Sequence, residues 1–172
     1  MALTLATHLT APVLSISYHF KAVLCPDTPP THSPQLQPHP QRKTTMFSHV
    51  MLGVNNLEAS RKFYDALLGT LGIAPGVANK LRYFYRSPTG TFAITTPING
   101  EPATHGNGST IGFVVQSAEQ GNAFHAAGLA NGGTDCEEPP GLREGPAGQL
   151  YLAYLRDPDG NKICALHRPK SA

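Results

Sequence analysis

The chain has no tryptophan and only three cysteines among 172 residues. Cys25, Cys136 and Cys164 show neither CxxC spacing nor an even count, so no disulfide framework is implied. That usage fits a reducing compartment, and the expected location is the cytoplasm. Charge is sparse and nearly balanced, with a formal net of +2. There is no basic stripe and no aromatic ladder interleaved with arginines, which argues against nucleic acid as a partner. A long apolar run is missing too. Leu9 to Leu24 is mildly apolar, but Pro12, His19 and Lys21 break it, so it is too short and too polar to span a bilayer. A secretory signal begins with a basic region, and here the first positive charge, Lys21, lies behind the apolar residues.

Proline is spread unevenly. Six fall between Pro26 and Pro40, among Thr, His, Ser and Gln. Such a stretch cannot bury enough apolar surface to offset its ordering entropy. Residues 1–45 therefore read as a disordered extension with Met46 as the natural start. The competing reading is a divergent targeting sequence, disfavoured because arginine is nearly absent there. The remainder, 46–170, is one domain of about 125 residues, near the commonest domain size.

That domain repeats itself. A shift of 61 residues lays Val54 on Val115, Glu58 on Glu119, Phe63 on Phe124, Leu68 on Leu129 and Gly72 on Gly133. A shift of 70 lays Arg86-Ser-Pro-Thr-Gly90 over Arg156-Asp-Pro-Asp-Gly160. Two similar halves of this length mean a duplicated fold. The first half spans 46–97, a linker rich in Gly, Pro and Asn spans 98–109, and the second half spans 110–168.

Each half reads the same way. Residues 47–54 alternate as a strand, and Asn55-Asn56 caps a helix from about 57 to 70 whose apolar residues recur at helical spacing. Residues 81–86 and 91–96 form a hairpin, with a short irregular strand expected within 73–79. In the second half, 110–116 is a strand and Ser117 caps a helix over 118–129. An irregular, proline-broken segment runs from Asp135 to Gly148. A hairpin over 150–156 and 162–167 closes on the turn Asp157-Pro-Asp-Gly160. The class is α+β: two βαβββ half-domains, each helix on its own mixed sheet, the opposite faces curled round a cavity. In the opening strand, Val50, Leu52 and Val54 make an apolar face, while His49, Met51 and Gly53 make the other.

These features carry a family resemblance. The duplicated βαβββ unit, the opening strand with His49, the Leu57-Glu-Ala-Ser-Arg-Lys-Phe-Tyr-Asp65 helix start and the closing Arg156-Asp-Pro-Asp-Gly-Asn-Lys162 hairpin resemble the vicinal oxygen chelate superfamily. That group includes glyoxalase I, bleomycin- and fosfomycin-resistance proteins and extradiol dioxygenases. Residues 106–113 and 133–143 look like its small glyoxalase-like members. The motifs are specific for the fold and weak for any one reaction. The resemblance also implies a homodimer.

In metal-dependent members, the resemblance implies ligands at four pseudo-equivalent places, on the opening and closing strand of each half. The repeat registers put His49 and Thr110 at the first pair, and Ile94 (or Thr95) and Cys164 at the second. A divalent ion needs at least three N, O⁻ or S⁻ donors from the protein. His49 and Cys164 are two, threonine is a poor third and isoleucine is none. The expectation is no metal and no other cofactor. A His49–Cys164 pair completed by His105 is disfavoured, because His105 lies in the linker.

Each candidate has a plainer alternative. His49 reads as a general base, and equally as a pocket-lining histidine. Cys164 reads as a thiolate nucleophile if His49 is within reach, but a cysteine between Ile163 and Ala165 is more readily a small buried hydrophobe. Arg143 reads as an anion clamp or as a solvated loop residue. Of Tyr83, Tyr85, Tyr151 and Tyr154, two are expected to line the pocket beside Met51 and Thr110. Arg82, Arg86 and Arg156 read as solvated strand-end charges. Three functions stay open: binding of a small carbonyl- or carboxylate-bearing molecule without chemistry, metal-free acid–base catalysis, and a metal-dependent lyase or dioxygenase.

Overall fold

A computed structural model describes residues 46–146 and 148–169, so the readings made of residues 1–45 lie outside the described residues. The first half contains β1 (His49–Gly53), α1 (Leu57–Gly69), β2 (Val77–Ala78), β3 (Arg82–Ser87) and β4 (Gly90–Thr95). The second contains β5 (Ile111–Val114), α2 (Ala118–Ala130), β6 (Thr134–Asp135), β7 (Gly141–Gly145), β8 (Gly148–Arg156) and β9 (Lys162–His167). One sheet runs β1-β4-β3-β2. The other runs β5-β9-β8-β6, with β7 also on β8. In each sheet the opening strand lies parallel to the closing strand, and the other pairings are antiparallel. The architecture is the expected α+β pair of halves, although neither sheet closes into a barrel.

The segment 135–148 is more ordered than its prolines suggested. β6 pairs with the far end of β8, Thr134 opposite Arg156, and β7 with the near end, Leu142 opposite Tyr151. Pro139 and Pro140 thus interrupt one edge strand without removing it, which is where a sheet tolerates proline.

Both helices start on the expected caps. The Asn56 side chain accepts from the Ala59 N–H, and the Ser117 side chain from the Gln120 N–H. Helix α1 buries Phe63, Tyr64, Leu67 and Leu68. Helix α2 buries Gly121, Phe124, His125 and Gly128, again at helical spacing but with two glycines. A Cβ on Gly121 would lie 2.9 Å from the Tyr151 ring, and one on Gly128 only 2.1 Å from Leu155 Cδ1. Close backbone approach therefore does for α2 what large apolar side chains do for α1. The halves share one core: a chain of rings runs Phe63–Tyr64–Phe92–Phe113–Phe124, with centroids 4.8 to 5.7 Å apart.

A polar joint reinforces that core. The Asp157 carboxylate is buried. It accepts from the Tyr64 hydroxyl at 2.7 Å, from Asn161 Nδ2 at 2.9 Å, and from the backbone N–H groups of Asp159 and Asn161. Its neighbour Asp159 accepts from the Asn55 backbone and side chain and from the Ser60 hydroxyl. The closing turn of the second half is thereby fastened to the start of α1. The linker is pinned as well: Asn55 donates to the Ala103 carbonyl and accepts from the Ala103 N–H.

Two stability predictions follow from this packing. Tyr64→Phe removes one donor from a buried carboxylate and is expected to cost about 1–3 kcal/mol, read by urea unfolding; an unchanged midpoint would show that the joint is dispensable. Gly128→Ala is expected to destabilise by about 1–3 kcal/mol through overpacking, against the roughly 1 kcal/mol that alanine gains in helix propensity. A rise in melting temperature for this variant would mean that Leu155 can move aside.

Candidate functional site

Strand pairing decides which side chains face α1 or α2 and which face away, because side-chain direction alternates along a strand. In the first sheet, Val50 and Phe92 are partners, as are Leu52 and Ile94; Phe92 and Ile94 belong to the core and Leu52 packs on it. Tyr85 opposes Phe92 and Tyr83 opposes Ile94, so both tyrosines lie on the helix side. On the open face β3 carries Arg82, Phe84 and Arg86, while Tyr85 lines the cleft beside His49 and Tyr83 is turned toward α1. Tyr83 donates to Glu58 at 2.7 Å, and Tyr85 to the Arg61 carbonyl at 3.3 Å. Burial pushes the Tyr85 hydroxyl well above its ordinary pKa. Tyr151 is buried in the second half and donates to Asn122 at 2.5 Å.

The open face of the first sheet carries His49, Met51, Thr91 and Ala93. That of the second carries Gly112, Cys164, Tyr154 and Leu152, with Arg143 joined through its partner Leu150. His49 is exposed, with Nδ1 3.0 Å from Ser48 Oγ, and it edges an apolar cleft of about 300 Å³ walled by Ile73, Phe92, Ile111 and Phe113. Thr110 lines a separate polar recess of about 330 Å³. Arg143 and Tyr154 line a third, of about 430 Å³, with Glu137, Glu138 and Leu152. Tyr154, Cys164 and Arg143 thus share one face. None of these three cavities is lined by both His49 and Cys164.

Chemistry at these residues is restrained. Arg143 Nε lies 2.9 Å from Glu138, and its other nitrogens donate to the Leu142 and Pro139 carbonyls. Its fork is occupied by its own loop. Cys164 is 3% exposed. Burial raises its thiol pKa, outweighing the hydrogen bonds and the Lys162 charge that act in the other direction. At neutral pH it is a thiol, not a thiolate.

The ladder also corrects one of the four positions at which the family holds metal. Met51 pairs with Ala93, and Gly112, its counterpart, pairs with Cys164. The equivalent of Cys164 is therefore Ala93, not Ile94, whose side chain is fully buried in the core. The cause is the turn: Arg86 pairs with Thr91 but Arg156 with Lys162, so the second hairpin is one residue longer. The set becomes His49, Ala93, Thr110 and Cys164, one imidazole and one thiol. Two donors do not make a divalent-metal site. Among the described residues, no three His, Cys, Asp or Glu side chains group to hold an ion within the chain.

The sequence reading missed two groups. The Asp157–Asp159 joint escaped because its partners lie about a hundred residues away. Arg156 and Lys162, directly opposed in the ladder, frame the polar recess. The signal was the turn length, which places residues 156 and 162 opposite each other.

The fold and these positions can be set beside known proteins. A family model described as the Glyoxalase/Bleomycin resistance protein/Dioxygenase superfamily matches residues 46–165. A crystal structure of a glyoxalase/bleomycin resistance protein from Albidiferax ferrireducens T118 is similar at 81% identity and a TM-score of 0.71, covering 72% of this chain and all of that one. A glyoxalase-related enzyme from Fulvimarina pelagi is similar at 22% identity and TM-score 0.57, covering 73% of this chain and 90% of its own. A putative glyoxalase from Bacillus halodurans matches at 22% identity and TM-score 0.58, over 70% and 94%. These last two share the fold. No curated protein matches. The chain belongs to the glyoxalase/bleomycin resistance/dioxygenase superfamily. No helix among the described residues is long and apolar enough to cross a membrane.

The two described thiols differ in burial and so in reactivity. With iodoacetamide at neutral pH, half-exposed Cys136 is expected to alkylate well before buried Cys164, as peptide mass spectrometry would show. Equal labelling of the two would show that Cys164 is accessible.

Proposed function

We propose that this protein binds a small organic molecule on the open faces of its sheets and does so without a divalent metal centre. The observation that supports this is the content of the four pseudo-equivalent positions, His49, Ala93, Thr110 and Cys164. A Lewis-acid mechanism has too few donors to hold its ion there, so neither the lyase nor the dioxygenase chemistry of the superfamily is assigned. A thiolate mechanism is disfavoured by the burial of Cys164, which leaves binding as the favoured role and His49 as the group for any acid–base step. In this reading the protein works in the cytoplasm as a homodimer, since His49 and Cys164 line no common cavity among those described.

Elemental analysis of the full chain, purified without chelator, tests the reading. Far less than one equivalent of Zn, Ni, Mn or Fe is expected, together with saturable shifts at Met51 and Tyr154 in an NMR screen of small carbonyl and carboxylate compounds. About one bound equivalent would overturn the metal-free assignment, and a ligand consumed during the titration would overturn binding without turnover.

A further inference from the structure

The recess beside Thr110 has a charge arrangement that the fold alone does not require. Arg156 and Lys162 are directly opposed on neighbouring strands, and like charges so placed repel. Lys162 is partly relieved by an ion pair with Glu137 and by the Tyr154 ring, whose centroid is 4.7 Å from its ammonium. Arg156 donates one nitrogen to the Gly160 carbonyl at 2.7 Å and makes no ion pair among the described residues. The facing wall is the loop His105–Thr110. It is held in place rather than loose. The His105 ring packs so closely on Gly160 that a Cβ there would lie 2.8 Å from Nδ1, and a turn closes from the Ser109 N–H to the Gly106 carbonyl. Asn107 and Thr110 add neutral polar groups, and no acidic residue lines the recess. Opposed cations, of which Arg156 has no ion-pair partner among the described residues while Lys162 shares its charge with Glu137, and a wall of neutral polar side chains describe a receptor for a small oxyanion.

We propose that this recess binds the anionic head, carboxylate or phosphate, of the molecule that the protein takes up. The proposal rests on the binding role given above and adds the ligand's chemical class and orientation. Lys162 contacts both the recess and Tyr154, and Tyr154 is the ladder partner of Cys164. An anion held between Arg156 and Lys162 therefore directs the rest of the ligand along the open face of the second sheet.

The full chain, isotope-labelled and at low ionic strength, is titrated with inorganic phosphate and separately with malonate, with sodium chloride at matched ionic strength as the control. Saturable shifts of the 106–110 and 156–162 amides are expected, with affinity falling about tenfold or more in Lys162→Met and in Arg156→Gln. Saturation by phosphate alone assigns a phosphate head, and by malonate alone a carboxylate head. No saturation, shifts equal to those from chloride, or unchanged affinity in the variants would overturn the proposal. If Arg156→Gln disturbs the turn, Lys162→Met, whose folding is checked by thermal unfolding, carries the test. An occupied recess with no response in the organic-compound screen would leave the anion site standing and remove the wider binding role.

Discussion

The two halves are held together at a carboxylate. Asp157 is taken out of water and given back, by Tyr64, by Asn161 and by two backbone N–H groups, the donors that water would have supplied. Its pKa is raised by burial, against the pull of those hydrogen bonds. A carboxyl raised in the folded state takes up its proton there before the unfolded chain does. For this group alone, lowering the pH through that window favours the fold, and raising it through the window removes that advantage. The same contact raises the Tyr64 hydroxyl, chiefly through burial and then through the Asp157 charge. The shared aromatic core supplies the adhesion, and the carboxylate supplies the register in which the halves meet.

That register governs what the open faces offer. Because α1 and α2 sit in the common core, Tyr83, Tyr85 and Tyr151 point toward the helices, and on the outward faces the four pseudo-equivalent positions hold His49, Ala93, Thr110 and a protonated thiol. The strongest fixed charge on the second face lies at its end, where the closing hairpin brings Arg156 and Lys162 side by side.

Much of this was legible in the sequence. The 61-residue repeat, the Asn56 and Ser117 caps and the helical spacing of Phe63, Leu67 and Leu68 each state a local preference that the fold then satisfies. The repeat predicted His49 and Thr110 as counterparts because nothing is inserted between the opening strand and the helix. It misplaced Ile94 because a one-residue difference in a turn shifts everything beyond it and reverses the face. Alternation in β3 reports two faces without saying which is buried: Tyr83 and Tyr85 lie on the helix side with Phe84 opposite, and only the packing shows Tyr85 also reaching the cleft beside His49. The polar joint was invisible because hydrogen bonds between segments a hundred residues apart leave no periodic trace.

The distance along the chain between Tyr64 and Asp157, 93 residues, also bears on how the molecule assembles. Closing so long a loop costs entropy before any contact offsets it. As the chain is synthesised, the first half is complete while its partner turn does not yet exist. Until Phe113 is made the Phe92 edge of the shared core lacks its partner ring, and until residues 157–161 arrive the Tyr64 hydroxyl lacks its acceptor. The nascent first half is thus a sticky, incomplete body, and its docking with the last hairpin is the step at which slow synthesis or a truncated chain would expose the protein to aggregation.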